Sequence, residues 1–197
     1  MTATGVPVGR KPVQARAIAR VESILTEAGA IIAAEGMEGL TMTRVANASG
    51  IPIGSLYQYF PTEASLVAGL VERHLRRGDE RLLLDIASAS SPAEMPAAME
   101  RALKTYLRIT EDKLSAELMA AIRADPRLRA MDRADTARNA EEIVKALGME
   151  SDTASLRISL VIDLAGHLAL DLPNEPPGRR RALMDAFVDM AVSVLKP

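Results

Sequence analysis

The chain has 197 residues, 48% of them hydrophobic, and a formal net charge of −2 at pH 7. This length accommodates one large core or two modest domains, and the apolar fraction excludes wholesale disorder. The chain has no cysteine, which excludes a disulfide framework and cysteine-based zinc or thiol chemistry and fits a cytoplasmic location.

The N-terminal segment is rich in glycine, proline and threonine, and residues 1–12 are predicted to be a disordered tail. It has no long apolar core, so we expect no secretory signal. From Val13 apolar residues recur every three or four positions, which predicts a helix that ends at Glu35 and Gly36. Residues 1–20 carry four basic and no acidic side chains. This charge fits a local DNA footprint or, alternatively, a solvated tail.

The stretch from residue 41 to residue 60 has the pattern of two short helices joined by a tight turn. Thr41 can cap the first helix with its hydroxyl, and Gly50 supplies the permissive backbone that ends it. The second helix is predicted to begin near Ile53. Ala46 is small enough to let the helices cross closely, and Leu56 is placed to fill the gap between them. The spacing predicts a helix-turn-helix.

The aromatic residues of this stretch have different expected roles. Phe60 is predicted to fill the core of a three-helix domain. Tyr57 follows Leu56 directly and must therefore point away from the face that Leu56 buries. An exposed tyrosine here suits contact with a DNA phosphate or a thymine methyl group, although a half-buried surface tyrosine is the simpler alternative. For Tyr59, phosphate contact and structural packing are about equally expected.

The motif resembles the DNA-binding domain of the tetracycline-repressor (TetR) family. The resemblance covers roughly residues 16–70 and is carried by G-I-P-I-G-S-L-Y-Q-Y-F, preceded by L-T-M-T-R-V-A. Members of this family are homodimers and mostly repressors, so the resemblance implies a homodimer that binds a double-stranded DNA operator. It also implies a helical second domain that dimerises and binds a small molecule.

The family's DNA-contact positions can be carried over one by one, and two arginines are added as phosphate contacts. The arginines are Arg16 and Arg44. The positions implied by the resemblance are Thr43, Ile53, Gly54, Ser55, Tyr57, Gln58 and Tyr59. The chain departs from the family at Glu63, where a lysine often helps to hold the phosphate backbone. With glutamate there, that contact is lost.

Helical patterns continue to the end of the chain. The predicted architecture is all-α, with a three-helix helix-turn-helix domain at residues 13–61 and a helical ligand-binding and dimerisation domain at residues 62–197. A long helix from Thr62 to about Ser88 begins in the first domain and ends in the second, so it can transmit motion. A turn follows at residues 87–92, Asp125-Pro126 predicts a helix break, and Gly148 ends the helix at 127–147.

Residues 156–170 are apolar on nearly every side, and such a helix must be buried on two faces. Ser159, Gly166 and Ala169 are small enough to admit another helix. The homodimer interface is therefore predicted at residues 156–170 and 179–195, as the resemblance also implies. Arg179 to Arg181, at the start of the last helix, are interpreted as a solvated corner. The chain has no uncharged apolar run of about 18 residues, so no membrane span is predicted.

An unknown small molecule is expected in the second domain. The predicted lining is Met95, Met99, Tyr106, Met119 and His167, because methionine fills irregular apolar space and Tyr106 or His167 could anchor a polar group. Only two aromatics occur in this domain, too few for an aromatic cage around a cation. We therefore expect a mostly apolar ligand that is neutral or anionic.

Three classes of function were compared. An enzyme needs a constellation of reactive groups, and two histidines without a cysteine or a glycine-rich phosphate loop do not supply one. No catalytic residue, metal site or cofactor is therefore predicted, and Asp163 with His167 is interpreted as a structural pair. A scaffold without sequence-specific DNA binding is the alternative, but it leaves the turn residues and Tyr57 unexplained. A ligand-responsive DNA-binding regulator accounts for both halves.

Overall fold

The computed structural model describes residues 11–88, 94–109, 112–148 and 153–194. Within these ranges the chain is helical and contains no β-strand, which confirms the predicted all-α class. The α-helices are α1 (Lys11–Glu35), α2 (Met42–Ser49), α3 (Ile53–Tyr59), α4 (Glu63–Ala87), α5 (Met95–Ile109), α6 (Lys113–Ala124), α7 (Pro126–Leu147), α8 (Ala154–Asp171) and α9 (Pro177–Val194). Short 3-10 helices lie at Met37–Gly39 and Leu172–Asn174.

Two sequence predictions fall partly outside these ranges. Residues 1–10 of the predicted tail are not among those described, whereas Lys11 and Pro12 belong to α1. Residues 89–92 of the predicted turn also lie outside them. No helix in the described part of the chain is long and apolar enough to cross a membrane.

The chain divides into two compact units between Leu70 and Val71, within α4. The first unit contains α1, α2, α3 and the first turns of α4. The predicted apolar stripe of α1 is buried in it, together with residues of the other three helices. Its core consists of Ile24, Leu25, Ala28, Ile32, Leu40, Met42, Val45, Ala46, Leu56, Phe60, Leu66 and Leu70.

The predicted ends of α2 are confirmed. The Thr41 hydroxyl accepts a hydrogen bond from the backbone N–H of Arg44 at 3.3 Å, which satisfies one of the free donors at the helix start. Gly50 has φ 66° and ψ 26°, the left-handed conformation that favours glycine. The helix-turn-helix is therefore fixed locally at both ends of α2.

Phe60 closes the core of the first unit, as predicted, with only 8% of its surface exposed. Its ring lies against the backbone of α4 at Gly69. A Cβ atom placed on Gly69 would lie 2.8 Å from Cε1 of Phe60 and 3.3 Å from Cδ2 of Leu25. Glycine therefore allows α4 to approach this ring closely.

The second unit has its own core, formed mainly by α5, α7, α8 and α9. Met99, Leu107, Ile143, Ile158 and Phe187 are among its buried side chains.

Local chemistry sets the helix ends of the second unit at the two predicted places. Asp125 caps α7 by accepting a hydrogen bond from the backbone N–H of Arg127 at 2.8 Å. The Arg127 side chain hydrogen-bonds the same carboxylate and lowers the pKa of Asp125 to about 2. Gly148 ends α7 with φ 60°, again the left-handed conformation.

The Phe60–Gly69 contact leads to a test. Gly69→Ala should lower the free energy of unfolding by about 1–3 kcal/mol, because the added methyl group overpacks the core. Gly54→Ala is the matched control, since that glycine also lies in a helix of the first unit but has open space around its Cβ position. The control should raise stability by roughly 0.5–1 kcal/mol through helix propensity. Urea denaturation followed by circular dichroism measures both, and equal stabilities would contradict the close packing.

Candidate functional site

Helix α3 presents most of its surface to solvent. Leu56 is its only buried side chain and is fully enclosed. Ile53 and Tyr57 are 41% and 47% exposed. They are four positions apart and therefore share one face of the helix. Tyr57 thus points away from the buried face, as its position after Leu56 predicts.

The other predicted DNA-contact residues surround this face or lie on neighbouring helices. Gly54 and Gln58 are exposed on α3, whereas Ser55 and Tyr59 are half-buried. Thr43 is exposed on α2, and Arg16 is exposed on α1. The role of each in DNA binding stays a prediction.

Arg44 has structural partners that the sequence did not reveal. Its guanidinium forms two hydrogen bonds with the Glu35 carboxylate, and its Nη1 also donates to the Gly39 carbonyl at 2.8 Å. The hydrogen bond with Glu35 raises the pKa of Arg44. These contacts connect the end of α1 with the start of α2, and a DNA phosphate would compete with Glu35 for this guanidinium. Because the two residues lie on different helices, helical spacing alone could not pair them.

The start of α4 explains how a glutamate is accommodated at position 63. The backbone N–H of Ser65 donates to the Thr62 hydroxyl at 3.1 Å, and the N–H of Thr62 donates to the Ser65 hydroxyl at 3.0 Å. Glu63 is exposed in the first helical turn, where a negative charge interacts favourably with the helix dipole. It therefore suits the helix start while lacking the positive charge that would attract a phosphate.

The helix-turn-helix and its surroundings match a known family. Residues 24–70 match the family model for bacterial regulatory proteins of the tetR family. The helix-turn-helix unit is thus similar to the DNA-binding domain of the TetR family. This match confirms the resemblance carried by the helix-turn-helix and supports a DNA-binding regulator. No curated protein matches the chain in sequence.

Solved structures extend the TetR-type fold to the rest of the chain. The multidrug binding protein EbrR, in complex with imidazole, is 20% identical, with 98% of each chain covered and a TM-score of 0.70. A protein of Streptomyces coelicolor A3(2) is 19% identical over 90% of this chain and 99% of its own, with a TM-score of 0.71. A TetR transcriptional regulator of Rhodococcus sp. RHA1 is 20% identical over 92% of this chain and 100% of its own, with a TM-score of 0.62.

Helix α8 is buried on one side and exposed on the other, whereas the sequence predicted burial on two faces. Leu156, Leu160 and Leu164 form a stripe that is 70%, 56% and 40% exposed. The opposite side is buried in the second unit, including Ala165 and Gly166. Gly166 does lie close to another helix, but to α6 of the same chain, because a Cβ there would lie 3.4 Å from Cε of Met119. The side chain of Ala169 lies outside the described part, and Ser159 is half-buried.

A cavity of about 220 Å³ in the second unit brings together three of the five predicted ligand-binding residues, Tyr106, Met119 and His167. Met99 belongs to the buried core instead and does not line this cavity. The side chain of Met95 lies outside the described residues.

The cavity is more polar than the sequence suggested, because five charged side chains also line it. These are Arg123, Arg129, Arg133, Asp132 and Asp163. Burial and the neighbouring carboxylates of Asp163 and Asp135 raise the pKa of Asp132. Such lining residues come from α6, α7 and α8, so no single helical stripe could have revealed them.

The surroundings of the two histidines do not indicate a metal site. His167 Nδ1 donates a hydrogen bond to the backbone carbonyl of Asp163 at 2.8 Å. Burial lowers the pKa of His74. In the described ranges no group of three or more histidine, aspartate or glutamate side chains could hold a metal ion.

Proposed function

We propose that this protein is a ligand-responsive transcriptional repressor of the TetR family that binds a palindromic operator as a homodimer. The observation that carries the proposal is the exposed face of α3, with Ile53 and Tyr57 on a helix of the helix-turn-helix. The match of residues 24–70 to the tetR-family model favours DNA binding over a scaffold for this face.

The chemistry of the exposed face suits a major groove. Tyr57 can donate its hydroxyl to a phosphate or place its ring against a thymine methyl group, and Ile53 offers a second apolar contact. Exposed Gly54 adds no side chain between them, so the DNA backbone can approach the start of α3. Arg16 would add a phosphate contact that is independent of sequence.

The first test of the proposal separates base readout from general attraction. The operator is selected from a random DNA pool, and gel shifts then compare Tyr57→Ala with Arg16→Ala. Tyr57→Ala should lower affinity for the selected site by at least tenfold. Nearly unchanged binding to random DNA would assign Tyr57 to a base, and equal weakening would assign it to a phosphate. Arg16→Ala should weaken binding to the selected site and to random DNA alike. The slope of log affinity against log salt concentration should also become shallower by about one, because one phosphate contact is lost.

Folding controls make this test decisive. Tyr57 is exposed, so Tyr57→Ala should change the free energy of unfolding by less than about 0.5 kcal/mol. Leu56→Ala, one residue away, should cost about 2–5 kcal/mol because Leu56 is fully buried. A folded Tyr57→Ala variant with full operator affinity would contradict the assignment of α3.

The leucine stripe of α8 supports a homodimer in this proposal. Met190 and Val194 of α9 are also 43% and 37% exposed, so both predicted interface helices carry large apolar side chains on the surface. Covering them with a second copy removes that apolar area from water. A two-fold dimer would place its α3 helices about 34–36 Å apart, one turn of DNA, which requires a palindromic operator.

The second test distinguishes the interface from the core of α8. Leu160→Glu should give folded monomers, because its charge lies on the exposed stripe and cannot be buried against a second copy. Ala165→Glu should instead unfold the second unit, since Ala165 is 1% exposed and lies in the core. Light scattering and circular dichroism measure both effects. Dimers of Leu160→Glu at wild-type stability would place the interface elsewhere.

The cavity at Tyr106, Met119 and His167 is the proposed ligand site. EbrR, which shares the fold, binds multiple drugs and imidazole by its description. Here three arginines against two carboxylates favour a neutral or anionic ligand. Such a ligand would weaken operator binding if it bound more tightly to a dimer whose α3 helices are spaced differently.

The third test compares ligands of opposite charge and equal apolar length. Octanoate should raise the melting temperature, whereas octyltrimethylammonium should not, because the lining lacks an aromatic cage. Gly166→Val should abolish the octanoate shift by filling the cavity beside Met119 and Tyr106. Stabilisation by the cation alone, or an octanoate shift that survives in Gly166→Val, would contradict the ligand class or the site.

A further inference from the structure

The second unit contains another cleft, of about 580 Å³, lined by α4, α5 and α9. It shares no lining residue with the cavity at Tyr106. Its basic residues are Arg81, Arg101, Lys104, Arg108, Arg180 and Arg181, and its acidic residues are Asp85 and Asp185. Six cations against two carboxylates leave an excess of four positive charges in a protein whose net charge is negative.

Several of these cations are held in place by the surrounding chain. Arg180 Nε donates to the Leu172 carbonyl at 2.9 Å, so the expectation that Arg179 to Arg181 form a solvated corner is wrong for Arg180. Arg101 Nη2 donates to the Ser88 hydroxyl at 2.9 Å. The uncharged Ser88 hydroxyl fixes the direction of the Arg101 guanidinium without neutralising it.

The two carboxylates of the cleft are each matched by a cation. Arg81 Nε lies 4.0 Å from Oδ2 of Asp85, and Lys104 Nζ lies 3.6 Å from Oδ1 of Asp185. Lys104 also contacts Glu100, just outside the cleft, at 2.8 Å. The remaining excess of charge therefore resides on the arginines of α5 and α9.

Arg108 and Arg181 are the most available of these arginines. Both are exposed, and neither has an ion-pair partner among the residues that the structure describes. Like charges gathered around one cleft repel one another, so a bound anion would relieve an unfavourable arrangement. The arginine fork matches the oxygens of a phosphate group in a bidentate way.

We propose that this cleft binds a small molecule carrying two or more phosphate groups. Arg101, Arg108 and Arg181 have no ion-pair partner among the described residues, and three such cations suit several linked anionic groups better than one. The volume lies within the roughly 300–1,000 Å³ of small-molecule sites, and a concave site between three helices suits a small ligand better than a DNA duplex. Pro177 and Met184 provide apolar lining for the remainder of such a molecule.

Isothermal titration with inorganic tripolyphosphate tests the proposal on the full chain, without DNA and at constant ionic strength. Saturable binding should weaken at least tenfold in the double variant Arg108→Ala/Arg181→Ala. The control Arg77→Ala/Lys145→Ala removes the same charge from exposed positions outside the cleft, and it should bind within about twofold of the wild type. Melting curves without the probe check that both variants fold.

Three results would overturn the proposal. One is the absence of saturable binding to the wild type, and another is equal weakening in the control, which would indicate general charge attraction. The third is a loss of affinity for random duplex DNA in the cleft variant as large as its loss for tripolyphosphate, which would assign the cleft to the DNA backbone. Operator selectivity through Tyr57 would be unaffected in each case, so the two proposals fail separately.

Discussion

The position of helix α3 depends on the burial of a single leucine within the helix. Helix α3 has seven residues, far fewer than the roughly 12–15 that a helix needs for stability in water. Leu56 is its only buried side chain, and Phe60 follows as the next anchor. Packing of these two residues therefore holds α3 in place. Because so little of the helix is needed for packing, most of its surface remains available for DNA.

Local chemistry explains why the helix ends could be predicted from the sequence. A hydroxyl at Thr41, left-handed glycines at Gly50 and Gly148, and the Asp125-Pro126 pair act on their own neighbours along the chain. Their effects do not depend on the rest of the fold. The exposure of Tyr57 was predictable for the same reason, since its position follows from that of Leu56 and the period of a helix.

Contacts between helices could not be predicted in this way. Sequence indicated that α8 is apolar on both sides, but not which side packs in its own unit. Arg44 was expected to contact phosphate, whereas Glu35 and Gly39, from preceding elements, hold its guanidinium. The charged lining of the cavity was missed because it is contributed by three helices. In each case the partners are distant in sequence, and periodicity within one helix carries no information about them.

Net charge is a poor guide to the ligands of this protein. A value of −2 would argue against binding anions at all, yet positive charge is concentrated in the first 20 residues and in the cleft between α4, α5 and α9. At physiological ionic strength, exposed charges are screened beyond about 8 Å. A ligand in the cleft therefore interacts mainly with the nearby arginines and little with acidic residues elsewhere. The local arrangement of charges, set by how the helices pack, decides which anions can bind.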